Sequence, residues 1–201
     1  MGKRFPAVVY LAGLVVETAV RAPYERRRRQ IPKTDQRVSR TERGLLVGLF
    51  VSTVLLPVVY CLTSWLDVAD YRLSPRARAR TGWSGAVLLA TAVWLFWRAH
   101  RDLGAYWSPS LEIGAQHTLI TNGVYGVVRH PMYASALLWG LGQTLLLPNW
   151  IAGPSGLAAF LPLYFLRVPR EERMLLDHFG AAYRAYSART GRIVPRLAVP
   201  R

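Results

Sequence analysis

One cysteine, Cys61, stands in a chain of 201 residues, which excludes an intrachain disulfide and a thiolate-rich zinc site. Histidine is also scarce. His117 and His130 lie thirteen residues apart without a third companion, which argues against a metal centre; no role is assigned to His100 or His178. Acidic residues are few, 11 against 26 Lys and Arg, leaving a formal net charge of +15. In a soluble protein such an excess suggests nucleic acid. Here the basic residues sit between apolar blocks, the pattern of a membrane protein with basic cytosolic loops, and no nucleic-acid partner is expected. Internal repeats and low-complexity linkers are absent, so one domain over 1–201 is expected.

What the chain has in quantity is apolar sequence, 52% of its residues. It comes in blocks near the length that crosses a hydrocarbon core, about 17–25 residues. A first span is expected from about Phe5 to Ala22. A basic loop over 21–43 follows, with Arg26 to Arg29 at its centre, suited to anionic headgroups. Gly44 to Leu66 forms the clearest span and Asp67 to Arg80 a polar link. Gly82 to Arg98 is a third span, with Trp94 and Trp97 toward one end, as in an interfacial belt. Residues 132–147 and 151–168 are short apolar arms separated by Pro148-Asn149, and they read as a helical hairpin. Arg167 to Arg189 reads as an amphipathic helix, with Leu175, Leu176, Phe179, Tyr183 and Tyr186 at three- or four-residue spacing. The expected fold is therefore all-α: an integral-membrane bundle of about five transmembrane helices with a C-terminal hairpin and a cytosolic C-terminal helix. With five spans, twenty basic residues fall on one side and six on the other, which predicts a cytosolic tail.

The stretch from His117 to Tyr133, HTLITNGVYGVVRHPMY, is not explained by hydrophobic periodicity. Gly123 and Gly126 give turn freedom. Pro131 suits the first position of a new helix. Such a helix leaves the N–H groups of Met132, Tyr133 and Ala134 without intrahelical partners, a setting for an anion, with Arg129 and His130 just upstream. His117, Tyr125, His130 and Tyr133 can serve a ligand that combines an aromatic ring with charged groups. Arg129 is read as ordering this loop. Arg167 and Glu171 are i,i+4 and face the same way on a helix, where a guanidinium can take a carboxylate with paired hydrogen bonds.

The pattern H-x-L-I-T-x-G-x-Y-x-x-x-R-H-P-x-Y resembles the hallmark of the isoprenylcysteine carboxyl methyltransferase family. It resumes at Glu171-Glu172, Leu175, Phe179-Gly180, Tyr183, Tyr186 and Pro195. The resemblance covers roughly the C-terminal 40% of the chain and divides it into variable N-terminal helices (1–100) and a cofactor- and substrate-binding core (101–201). It implies an integral-membrane enzyme that uses S-adenosylmethionine, yields S-adenosylhomocysteine and methylates a lipophilic acceptor, most simply at a carboxylate, whether of a prenylated protein, a free isoprenoid acid or another lipid. It implies cofactor contacts at His117, Thr118, Leu119, Ile120, Tyr125, His130, Pro131, Met132 and Tyr133, and acceptor contacts at Arg167 with Glu171. One family contact, a glutamine seven residues before the first histidine, is Ser110 here; Gln116 lies in a different register. Membrane lipids are the expected partners, and nothing in the pattern specifies an oligomeric state. Two other readings stand beside this one: a phospholipid N-methyltransferase acting on an amine, and a membrane scaffold or transporter that keeps the fold without turnover.

Overall fold

The structure, a computed structural model, describes residues 4–28, 33–36, 40–104, 112–114 and 118–196. Its elements run in the order α1 (Arg4–Arg28), β1 (Lys33–Gln36), α2 (Arg40–Phe50), a π turn (Val51–Leu55), α3 (Leu56–Leu62), α4 (Pro75–Leu103), β2 (Glu112–Gly114), a 3-10 turn (Gly123–Gly126), α5 (Pro131–Leu146), α6 (Ser155–Phe179) and α7 (Ala181–Arg189). The fold is helical, and a short antiparallel ribbon of β1 with β2 joins two connections that the sequence pattern left as loops. Among the described residues two helical stretches are long and apolar enough to cross a membrane, Phe5–Arg27 and Arg40–Leu62. Both turn apolar side chains outward: Val8, Val15, Val47, Phe50 and Leu62 are each more than half exposed.

The continuous Arg40–Leu62 stretch is locked to its neighbours through a defect in its own hydrogen bonding. The Leu56 N–H bonds back five residues to Val51 O, which releases Ser52 O. Pro57 has no N–H to give Thr53 O. Both carbonyls are taken by side chains from other helices. Tyr10 of α1 reaches Thr53 O at 2.6 Å. Gln143 Nε2 of α5 reaches Ser52 O at 2.9 Å, and Ser155 Oγ of α6 reaches it at 2.8 Å. Trp139 Nε1 donates to the Tyr10 hydroxyl at 3.0 Å. Four helical segments are thus tied at one buried polar node inside a core of Tyr10, Leu89, Trp139, Leu146 and Leu147.

Several element limits depart from the sequence pattern. Helix α4 begins at Pro75, seven residues before the expected span, because Ser74 caps it (its Oγ accepts from Ala77 N at 3.2 Å) and Pro75 occupies the first turn. The turn between α5 and α6 is held by Asn149, whose Oδ1 accepts from Ile151 N and Ala152 N while its Nδ2 donates to Leu66 O. The expected separation of an apolar arm at 151–168 from an amphipathic helix at 167–189 does not occur. α6 runs unbroken through Pro162 and Pro169 to Phe179. Each proline deletes one hydrogen bond, but buried Phe160, Leu163, Val168 and Met174 keep one packing face continuous across both. The break falls at Gly180, which adopts φ +52°, and α7 starts there.

Candidate active site

One end of the bundle gathers the residues of the 118–133 stretch around α6. Upstream, Asp102 near the end of α4 accepts from Val124 N at 2.9 Å and is itself 3.4 Å from Arg98. Gly123 lies directly against that carboxylate. It has φ +56°, and a Cβ there would stand 2.1 Å from Asp102 Oδ2. Only glycine satisfies both conditions. The turn so pinned buries Tyr125, whose carbonyl accepts from the Tyr186 hydroxyl of α7 at 2.7 Å. The chain then runs beside the C-terminal segment: Arg129 N donates to Gly191 O at 2.8 Å and His130 N to Arg192 O at 2.9 Å. Helix α5 starts at Pro131, the position its sequence predicts. Of the three N–H groups expected to be open there, that of Ala134 bonds to His130 O at 3.0 Å. The N-cap carbonyl reaches one residue further than the sequence reading allowed, so the possible open donors are Met132 and Tyr133.

Two adjacent glutamates of α6 divide the site between them. Glu172 is the hub of its ionic network. Arg129 donates to its Oε1 from Nε at 3.1 Å and from Nη2 at 2.9 Å. Arg192 donates to its Oε2 from Nη2 at 2.7 Å and from Nε at 3.1 Å. His130 Nε2 lies 3.2 Å from Oε1; an ionised carboxylate only accepts, so the proton of that contact sits on Nε2. Partial burial pushes the Glu172 carboxyl up, but hydrogen bonds from His130, Arg192 and Arg129 outweigh it and hold the pKa at about 2. The same contact raises the Arg192 guanidinium above its ordinary value. Arg129 also donates to the Ser187 and Thr190 carbonyls, which fastens the end of α7 to the start of α5.

Glu171 faces the other way. The Tyr133 hydroxyl donates to its Oε2 at 2.8 Å. His130 Nδ1 stands 3.7 Å from Oε1 and Arg167 Nε 4.0 Å from Oε2. These two distances exceed the roughly 2.7–2.9 Å of a charge-assisted hydrogen bond, so Glu171 retains accepting capacity. Tyr133 is edge-on to His130 (5.5 Å) and to Tyr164 (5.9 Å), giving the carboxylate aromatic surroundings.

The sequence-derived site residues are thus distributed unevenly. His130, Tyr133, Arg167 and Glu171 converge. Tyr125 and Pro131 are buried, and Met132 follows in the first turn of α5. Leu119 and Ile120 are half-buried and Thr118 is exposed, in the segment leading to the turn. His117, with Ser110 and Gln116, lies outside the described residues. Arg167 and Glu171 stand 4.0 Å apart at the i,i+4 spacing read from sequence, and Arg167 has a second, nearer carboxylate in Glu42 of α2, at 3.5 Å. Sequence spacing could not show a partner 125 positions away. Glu172, Arg192 and Asp102 were also not assigned roles from sequence. The paired glutamates and the basic tail were visible there, but neither spacing nor composition connects them.

Residues 85–177 match the model of the isoprenylcysteine carboxyl methyltransferase family. Protein-S-isoprenylcysteine O-methyltransferase B of Arabidopsis thaliana is 35% identical over 79 residues, 39% of this chain and 40% of the relative. The protein-S-isoprenylcysteine O-methyltransferase of Tribolium castaneum is 34% identical over 84 residues, 42% and 30% respectively. That of Rattus norvegicus is 34% identical over 139 residues, 65% and 48%. The matches therefore span less than half the length of each of these relatives. A solved structure of the eukaryotic intramembrane Ras methyltransferase ICMT aligns over 79% of this chain and 54% of that one, with a TM-score of 0.45 and 24% identity. Over its residues 85–177, a little under half of its length, the chain is similar to the isoprenylcysteine carboxyl methyltransferase family.

Proposed function

We propose that the chain is an integral-membrane methyltransferase that carries a methyl group from S-adenosylmethionine to the carboxylate of a lipophilic, isoprenyl-bearing acceptor. The observation that carries this reading is the convergence of Arg167, Glu171, His130 and Tyr133. A guanidinium that can take a carboxylate stands beside a carboxylate with room for a cationic ligand, at the end of an apolar bundle. The relatives' names supply the acceptor class, isoprenylcysteine.

The donor set fits the cofactor. Glu171, with accepting capacity left, suits an α-ammonium. The N–H groups of Met132 and Tyr133 at the start of α5 suit an α-carboxylate. The rings of Tyr125, Tyr133 and Tyr164, with Leu119, Ile120 and Pro131, offer aromatic and apolar surface; Thr118 precedes them in the chain, and His117 is assigned to the cofactor by the family resemblance alone. When bound, S-adenosylmethionine supplies a methyl group already activated by its sulfonium. The protein's task is to bring an already ionised carboxylate into line with that group and exclude water. Arg167 holds and orients the acceptor carboxylate, Glu171 holds the cofactor side, and Glu172 keeps His130 and Arg129 in place. A proton relay is not required.

The outward apolar faces of α1 and of the Arg40–Leu62 stretch support placement in a bilayer. Together with α4 and the α5–α6 pair they make the five-span arrangement. The charge asymmetry turns the active site and tail to the cytosol.

Arg167→Ala is the test. Loss of a partly desolvated ionic contact to the acceptor, roughly 2–5 kcal/mol, lowers turnover by about thirty-fold to several thousand-fold. S-adenosylhomocysteine affinity, measured by calorimetry, stays near wild type. Arg167→Lys recovers part, since lysine keeps the charge and loses the planar fork. Normal turnover by Arg167→Ala on an isoprenoid carboxylate would remove the carboxylate-acceptor reading.

A further inference from the structure

Glu42 is a carboxylate that the family match does not reach. It sits in the first turn of α2, before the matched residues 85–177, and is 2% exposed. An acidic residue in a first turn is favoured by the helix dipole, but that interaction operates in full solvent and does not require burial. Burying an ionised carboxylate costs several kcal/mol unless a cation compensates it. Arg167 is a cation that compensates it, at 3.5 Å and itself only 10% exposed. From its other side Arg167 faces Glu171 at 4.0 Å. The guanidinium is therefore suspended between two carboxylates on different helices, close enough for charge compensation and too far for a saturated fork-to-fork pair. Its Nε makes no hydrogen bond among the described residues.

We infer that Glu42 is a positioning residue for the methyl acceptor: it draws the Arg167 guanidinium away from Glu171 and holds its N–H fork open for the acceptor carboxylate. This rests on the function proposed above. Without Glu42, the carboxylate partner that remains among the described residues is Glu171, one turn along the same helix. Arg167 would close onto it, as i,i+4 pairs do. That collapse would take the donor fork out of the acceptor site. The N-terminal helices, which the family model does not cover, would thus help decide how the acceptor is received.

The experiment measures binding of a farnesyl thioether carboxylate to detergent-purified protein loaded with S-adenosylhomocysteine, which needs no turnover, alongside the acceptor KM in the methylation assay. Glu42→Gln is expected to weaken carboxylate binding and raise the acceptor KM by about ten-fold, while S-adenosylhomocysteine affinity is unchanged. Glu42→Asp, with the charge kept on a shorter arm, is expected to recover part of the loss. In an Arg167→Gln background, Glu42→Gln should add no further loss, a cycle that stays readable if one single variant folds poorly. Unchanged or tighter carboxylate binding in Glu42→Gln overturns the inference, as does an equal fall in S-adenosylhomocysteine affinity. Failure of the wild-type protein to bind the carboxylate probe overturns the acceptor class instead, so the two failures are distinguishable.

Discussion

Two buried polar clusters lie at different levels of this bundle, and they solve the problem of burial in opposite ways. The node around Gln143 is neutral and saturated. Gln143 Nε2 meets Ser52 O, Ala152 O and Ser155 Oγ, and its Oε1 takes the Tyr10 hydroxyl at 2.9 Å. The cluster around α6 is ionic and divided. Glu172 is saturated by Arg129, Arg192 and His130, while Glu171 and Arg167, one face away, keep long contacts. Saturation marks architecture, because a buried polar group with all its partners has nothing left to give a ligand. Capacity held in reserve beside a saturated neighbour marks a site. On this comparison Glu172 belongs with Gln143, as scaffold, although it is adjacent in sequence to Glu171.

The comparison makes predictions of decreasing size. Glu172→Ala leaves Arg129 and His130 without their common acceptor in a half-buried setting and should lower stability by about 3–5 kcal/mol. Thermal unfolding in detergent reads this, and a loss below about 1 kcal/mol would show that the network is only a solvated surface feature. The second prediction concerns acid. Glu172 titrates at about 2 in the folded protein against an ordinary 4.5. Its depressed pKa contributes stability that is fully present above pH 4.5 and is lost as pH falls through about 2. The amount is roughly 3 kcal/mol. Comparing acid unfolding of the wild type with Glu172→Gln isolates it: the wild type should lose more stability across that window than the variant.

Gln143→Leu should cost about 1–3 kcal/mol, since it leaves the single Ser155 hydroxyl to serve both the Ser52 and Ala152 carbonyls. Turnover per folded molecule should stay near wild type, and a selective loss of turnover at full stability would erase the distinction between node and site. Tyr10→Phe is smallest, about 1 kcal/mol, because it removes one hydroxyl from the node and leaves its ring against Trp139. An effect as large as that of Gln143→Leu would move the centre of the node to α1.

Much of the site was legible because its chemistry is local. Gly123, Pro131 and the run from Arg129 to Tyr133 announce a turn, a helix start and a polar patch within a dozen residues. Ser74-Pro75 was equally legible as a helix start, yet the charged turn that follows it reads as loop when hydropathy alone sets the boundary. The boundary expected at 167–168, where charge sets in, erred in the opposite direction, since α6 continues through it and past Pro169. A proline removes one hydrogen bond, and the buried face that carries α6 past it is made of contacts with other helices.

The sequence by itself determined the elements whose physics is carried by neighbours along the chain: the apolar blocks that become helices, the proline-led start of α5 and the glycine turn before it. Only the tertiary structure decided which charges meet. That Glu42 stands at Arg167, that Arg192 returns to Glu172, and that Ser52 and Thr53 lend their carbonyls to Gln143 and Tyr10 are consequences of helix packing. Coulomb attraction and hydrogen bonding depend on distance in space, and separation along the sequence carries no record of it.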